Sequence, residues 1–218
     1  MKKYGLDRAA HISKNDALFI GGMGLITALL LLPLLQNLGV SSLLSAHNLP
    51  FVPILFGFFV FMPVAFMSMA FFLLLLPFRD HSAAQLSRYA VIGAFNVALN
   101  ASIFNLLILL TGISKGLWVT GFAVITFLIV VTQAFFWSVF WTFRNAPPRN
   151  RVDQYKHFLG VSSAVAFVNI TIIHILVNVV GAPVGIPTPI WANIALLCTI
   201  VTAVLGNFIG YKYFVFRH

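Results

Sequence analysis

Glutamate is missing from this chain, and the only carboxylates are Asp7, Asp16, Asp80 and Asp153. All four fall outside the long apolar runs, so no paired acids stand ready for general acid–base work and no carboxylate lies inside a run to couple proton movement. Cysteine is almost as scarce. Cys198 is the single one, which excludes an intramolecular disulfide, and its apolar setting argues against a reactive thiol. No glycine-rich phosphate cradle is present, and His174 alone makes neither a metal site nor a triad. These absences point away from an enzyme, a bound metal and a cofactor.

What fills the chain instead is hydrocarbon. Of its 218 residues 61% are hydrophobic and 8% charged, more apolar surface than a soluble core of this size hides. Six apolar runs follow one another, at about 17–38, 51–77, 89–111, 118–142, 158–180 and 190–213. Each is long enough, at about 1.5 Å per residue, to cross a hydrocarbon layer about 30 Å thick. A membrane barrel would show period-two patterning in segments near ten residues, which is not found. The expected fold is an all-α membrane protein with six transmembrane helices. Residues 1–38 lack the short apolar stretch and cleavage site of a signal peptide and read as a basic arm and a retained first helix.

The net charge of +9 raises nucleic acid as a partner, and the placement of the charge argues against it. Twelve of the thirteen Lys and Arg residues lie before the first run, between runs two and three, between four and five, or after the sixth; Lys115 alone lies in an opposite connection. That bias predicts a multi-pass protein of the cell (cytoplasmic) membrane with both termini cytoplasmic. Asn100-Ala-Ser102 and Asn169-Ile-Thr171 match a glycosylation pattern but lie within runs, and read as polar helix residues.

The chain also repeats itself. Phe143-Arg144 closes one apolar run as Phe216-Arg217 closes another, and Arg88-Tyr89-Ala90-Val91-Ile92-Gly93 aligns with His157-Phe158-Leu159-Gly160-Val161-Ser162. The same alignment sets Asn100 on Asn169 and Asn105 on His174. Each unit is a pair of helices that starts and ends beside basic residues, so the two copies, 86–145 and 155–218, form tandem parallel two-helix repeats. Residues 1–85 supply the arm and two extra helices; a third Phe-Arg at 78–79 hints at a decayed copy there.

Helix rise puts Asn100 and Asn169 about 16 Å, and Asn207 about 13 Å, from the basic end, close to mid-membrane. Asn96 shares a face with Asn100, four residues apart. Thr171, His174 and Asn178 form a polar stripe. Buried amides of this kind either join helices or line a pathway, since an unpaired amide in hydrocarbon costs several kcal/mol. At the basic end Arg88, Arg144, Lys156, Lys212 and Arg217 gather, as snorkelling anchors or as a clamp for a phosphate. Lys212 lies between Tyr211 and Tyr213, and Trp141 belongs to the aromatic belt.

With these residues in place, 86–218 resembles the GtrA family of small membrane proteins. Its closing signature, similar to Asn-Phe-x-x-Asn-Arg-aromatic-Trp-x-Phe, is met as Asn207-Phe208-x-x-Tyr211-Lys212-Tyr213-Phe214-Val215-Phe216, with Tyr211 for the usual Asn. The first copy keeps Phe135 and Trp141-Thr142-Phe143, but has Ala134 beside Gln133 for the Asn and Val139 at the basic position. The resemblance implies a flippase that moves a polyprenyl-phosphate-linked monosaccharide for cell-surface polysaccharide glycosylation. On that reading Lys212, Arg217, Arg88 and Arg144 hold the phosphate, and Asn96, Asn100, Asn169, His174, Asn207, Tyr211 and Trp141 line the sugar path. A homodimer working with membrane glycosyltransferases is expected. The alternative is a non-transporting scaffold that recruits a glycosyltransferase through the basic 144–157 link; a small cation exporter lacks the intramembrane acid its cargo needs.

Overall fold

A computed structural model describes residues 13–75, 82–137, 140–141 and 151–210, the side chains of 82–86, 151–155, 157, 201 and 204–210 excepted. The described chain is helical. Helix α1 (Lys14–Leu30) opens at Ser13, whose side chain accepts from the Asp16 backbone N–H while Asp16 reaches back to the Ser13 N–H, a reciprocal cap. It breaks at Leu31 because Pro33, in the first turn of α2 (Leu32–Asn37), has no N–H to continue the ladder. The first apolar run is therefore two stacked helices rather than one. The connection that follows contains a further short helix, α3 (Val40–Ala46), entered through Gly39 at φ 66°.

Helix α4 (Phe51–Leu74) is apolar all round and carries Pro63 in its interior. Helix α5 (Ser82–Thr111) returns, and α6 (Leu117–Trp137) reverses again. Helix α7 (Arg151–His174) continues as a π-helical turn over Ile175–Val180, and α8 (Thr188–Gly210) completes the fold. Both upward helices of the last four stop at a glycine in the left-handed region: Gly112 at φ 69° after α5 and Gly181 at φ 72° after the π-turn.

Five stretches are long and apolar enough to cross a membrane: Lys14–Asn37, Phe51–Leu74, Ser87–Thr111, Leu117–Trp137 and Phe158–Val180. In α8 the described apolar part is Thr188–Ile200. The chain is a multi-pass membrane protein, and its surface fits that setting. Phe56, Phe61 and Phe71 of α4 are all more than half exposed, which water would penalise and hydrocarbon does not.

Helix α5 organises the bundle. Half of its apolar window is buried, against 11% for α4, and it packs on α1, α2, α4, α6 and α8. Helices α6 and α7 also touch, as do α7 and α8, so α5 to α8 close into a ring. One core fills this ring at the end away from the basic residues, from Ala101, Phe104 and Ile108 through Phe122 and Ile173 to Ala195 and Leu196. A second joins α1, α4 and α5 at the basic end through Ile20, Met23, Phe66, Ala70, Val91 and Phe95. Between apolar helices in lipid, close backbone approach supplies the attraction. Gly24 provides it here: a Cβ at this position would lie 2.5 Å from Pro63 Cα and 2.9 Å from the Met62 carbonyl oxygen. Gly21 and Gly22, close by on the same helix, would have no atom within 4 Å of a Cβ, because they lie beside an open groove between α1 and α4.

Candidate functional site

Three layers of polar side chains cross the bundle. At the basic end the carboxylate of Asp16 is 2% exposed. One oxygen accepts from Arg88 Nη2 at 2.8 Å and from the Ser13 hydroxyl at 2.9 Å, and the other accepts from Trp141 Nε1 at 2.9 Å. Phe19, one turn along α1, packs its ring between Trp137 and Trp141 with centroids 5.1 and 4.6 Å away. Asp16 is thus not a solvated acid outside the spans, as its position before the first apolar run suggested. The helix begins before the apolar run does, and its capped first turn delivers the carboxylate to Arg88. Arg88 is itself 7% exposed, and its Nε has no hydrogen-bond partner among the described residues.

The middle layer is made of amides paired within each hairpin. On the α5–α6 seam Gln133 Nε2 donates to Asn96 Oδ1, and Gln133 Oε1 is buried with no partner among the described residues. Asn100, one turn further along, is half-buried and makes no side-chain hydrogen bond to a described residue. On the α7–α8 seam the Thr202 hydroxyl donates to Asn169 Oδ1 at 2.6 Å. Asn96, Asn100 and Asn169 therefore sit in two separate seams rather than in one direct cluster.

The third layer lies at the opposite end and joins the hairpins to each other. Asn105, fully buried, exchanges hydrogen bonds with Asn193 of α8 at 2.7 and 2.8 Å and accepts from Asn37 of α2 at 2.8 Å. Across the ring the Thr120 hydroxyl of α6 bonds His174 Nδ1 at 3.1 Å, and Asn178 Nδ2 donates to both. His174 follows Asn105 by 69 positions and Asn193 follows Thr120 by 73. These are the same offsets that superpose Asn100 on Asn169 and Phe143-Arg144 on Phe216-Arg217. Gly112 and Gly181, where α5 and the π-turn stop, are also 69 apart.

Of the residues singled out from the sequence, Arg88 and Trp141 are brought together through Asp16, while Asn96, Asn169 and His174 are each bound to a neighbouring helix. Arg144, Tyr211, Lys212 and Arg217 lie outside the described residues, and so does the side chain of Asn207. Sequence reasoning passed over Asp16, Asn37 and Asn193. Ser13-x-x-Asp16 was legible as a capping pair, and Asn193 stands 73 positions after Thr120, the spacing between the two Phe-Arg pairs. Nothing local to Asn37 marks it.

Residues 88–217 match the GtrA/DPMS, transmembrane domain. The chain belongs to this family, whose match begins at Arg88 and takes in α5 to α8. Membership places it among membrane proteins of glycosylation that handle polyprenyl-linked sugars. No curated protein and no solved structure matches the chain.

Proposed function

We propose that the protein flips a polyprenyl-phosphate-linked monosaccharide across the cytoplasmic membrane for glycosylation of cell-surface polysaccharide. The observation that carries this reading is that, among the buried polar atoms without a partner among the described residues, Arg88 Nε lies at the basic end and Gln133 Oε1 in the middle layer of the family domain. An unpaired N–H or carbonyl in hydrocarbon is costly, and a phosphate oxygen and a sugar hydroxyl are the groups that satisfy them. Arg88, with Arg144, Lys212 and Arg217, is assigned to the phosphate; Asn96, Asn100, Gln133, Asn169 and Asn207 are assigned to the sugar, with Tyr211, Trp141 and His174 along the path. The reading is non-enzymatic: the lipid changes leaflet, not covalent structure.

The same reading takes the chain as six-spanning with both termini cytoplasmic, because α8, at 23 residues and about 1.5 Å each, is long enough to cross. It takes 86–145 and 155–218 as tandem parallel repeats, supported by the shared offsets of the Asn105–Asn193 and His174–Thr120 bonds. A homodimer with a partner glycosyltransferase completes it. The scaffold alternative is favoured by one observation, that Asn169 is committed to Thr202. Vesicles carrying a fluorescent polyprenyl-phosphate sugar separate the two. Flipping predicts that wild type clears label from the outer leaflet faster than empty vesicles, and that Lys212→Ala, Asn207→Ala and Gln133→Leu are slower than wild type. Wild type no faster than empty vesicles leaves the scaffold.

A further inference from the structure

Lys115 is the one lysine or arginine in the three connections at the end opposite Arg88, and those connections contain no Asp or Glu. It stands in the turn between Gly112 and Gly116, exposed, on a cavity of about 530 Å³ that is lined by Lys115, Gly116, Leu117, Val177 and Asn178. The far wall is the π-helical turn Ile175–Val180, a backbone departure that costs regular helix bonds and recurs where proteins bind ligands. Asn178 gives both its donors' directions to Thr120 and His174, and its Oδ1 is buried without a partner among the described residues. Around the cavity the surface is apolar: Leu117, Trp118 and Val179 are each about seven-tenths exposed.

A lone cation, an acceptor with nothing to accept and an apolar margin make a site for an anion that carries both hydroxyls and a hydrocarbon chain. We propose that this cavity is a second phosphate-headgroup site. Lys115 holds the phosphate as a point charge, Asn178 Oδ1 accepts a hydroxyl of the group esterified to it, and Leu117 and Val177 meet the first carbons of the lipid. The inference rests on the flipping reading in that the same lipid-linked phosphosugar is the ligand, received here after leaving the Arg88 end. Its geometry belongs to different residues from those that carry flipping. Lys115 touches none of the Asp16–Arg88–Trp141 group, and it lies in an exposed turn where substitution leaves the bundle intact.

The test uses the full chain in nanodiscs and a polyprenyl phosphate bearing a photoactivatable group near its phosphate, with the matching polyprenol as control. Labelling is expected on residues 112–117 and 175–181. It should fall about tenfold in Lys115→Ala, the loss of one charge-assisted contact, and be kept in Lys115→Arg. The polyprenol should not label these segments, and millimolar inorganic phosphate should not compete. Equal labelling in Lys115→Ala, or by the polyprenol, overturns the site; competition by inorganic phosphate overturns the lipid as its ligand. A protein that shows Lys115-dependent labelling without translocating lipid in vesicles loses the flipping reading and keeps the site. One that translocates while Lys115→Ala labels as wild type keeps flipping and loses the site.

Discussion

Removing the Asp16 carboxylate tests how the extra helices are held to the family domain. Asp16→Ala deletes the acceptor of Arg88 Nη2, Trp141 Nε1 and the Ser13 hydroxyl in one step. It leaves a guanidinium whose side chain is 9% exposed without its counter-charge. Breaking a buried pair from one side costs about 3–5 kcal/mol, since the survivor stays buried and unpaired. Removing both charges is far milder: Asp16→Leu with Arg88→Met keeps volume and leaves no orphan charge, so the double variant should fall within about 1–2 kcal/mol of wild type. At about 2–4 °C per kcal/mol for a chain of this size, even 3 kcal/mol lowers the unfolding midpoint by roughly 6–12 °C. Thermal unfolding in mild detergent, followed by tryptophan fluorescence, reads this directly through Trp137 and Trp141. A midpoint for Asp16→Ala within about 2 °C of wild type, or a double variant as unstable as Asp16→Ala, refutes the assignment of the pair as the clamp between α1 and α5.

Gly24→Ala forces α1 away from Pro63, since its Cβ would meet backbone at 2.5 Å; a loss of about 1–3 kcal/mol is expected, whereas Gly21→Ala, with open space, should match wild type in the same assay. Asn193→Leu strips two hydrogen bonds from buried Asn105 and should cost about 1–2 kcal/mol, while Asn100→Leu, which loses no hydrogen bond to a described residue, should be nearly neutral to folding. Thr202 holds Asn169 on the α7–α8 seam, and the residue 73 positions before it is Ile129. Ile129→Thr should therefore give Asn100 the partner that Asn169 already has and raise the unfolding midpoint by the equivalent of about 0.6 kcal/mol; no gain would mean that the two seams differ in register.

The helical class and the apolar runs were legible because a span in hydrocarbon has to be long, apolar and internally bonded, which leaves its mark on every residue. The 69- and 73-residue offsets read from the sequence also separate Asn105 from His174 and Thr120 from Asn193, the residues that the Asn105–Asn193 and Thr120–His174 bonds bring together. Other features depend on distant partners. Asp16 sits just ahead of an apolar run, so composition assigns it to solvent; only the direction of α1 against α5 reveals that it meets Arg88. Gly21, Gly22 and Gly24 look alike in sequence, and only the crossing point at Pro63 selects one. The break at Leu31 had a sign in Pro33 that length alone overrode. The widened turn at Ile175–Val180 has no counterpart in its own sequence.

The departures from two-fold likeness carry as much meaning as the likeness. Asn105 and His174, 69 positions apart, each sit against a residue of the other hairpin, yet the third side chain in each group comes from a different place. For Asn105 it is Asn37, reaching in from α2; for His174 it is Asn178, from the same helix one turn on. At the basic end the added helices again address α5, through Asp16 on Arg88 and Ser87 on the Ala70 carbonyl. The added pair thus closes the α5 flank at both ends of the bundle. The basic end of α6 is also met, by Phe19 on Trp137, whereas at the opposite end the Lys115 cavity opens between α6 and the π-turn beside exposed apolar side chains. A lipid whose chain stays in hydrocarbon while its headgroup crosses needs one open flank and one fixed wall. On the proposed flipping reading, cover on the α5 flank and apolar exposure beside the Lys115 cavity leave such a lipid one side on which to approach.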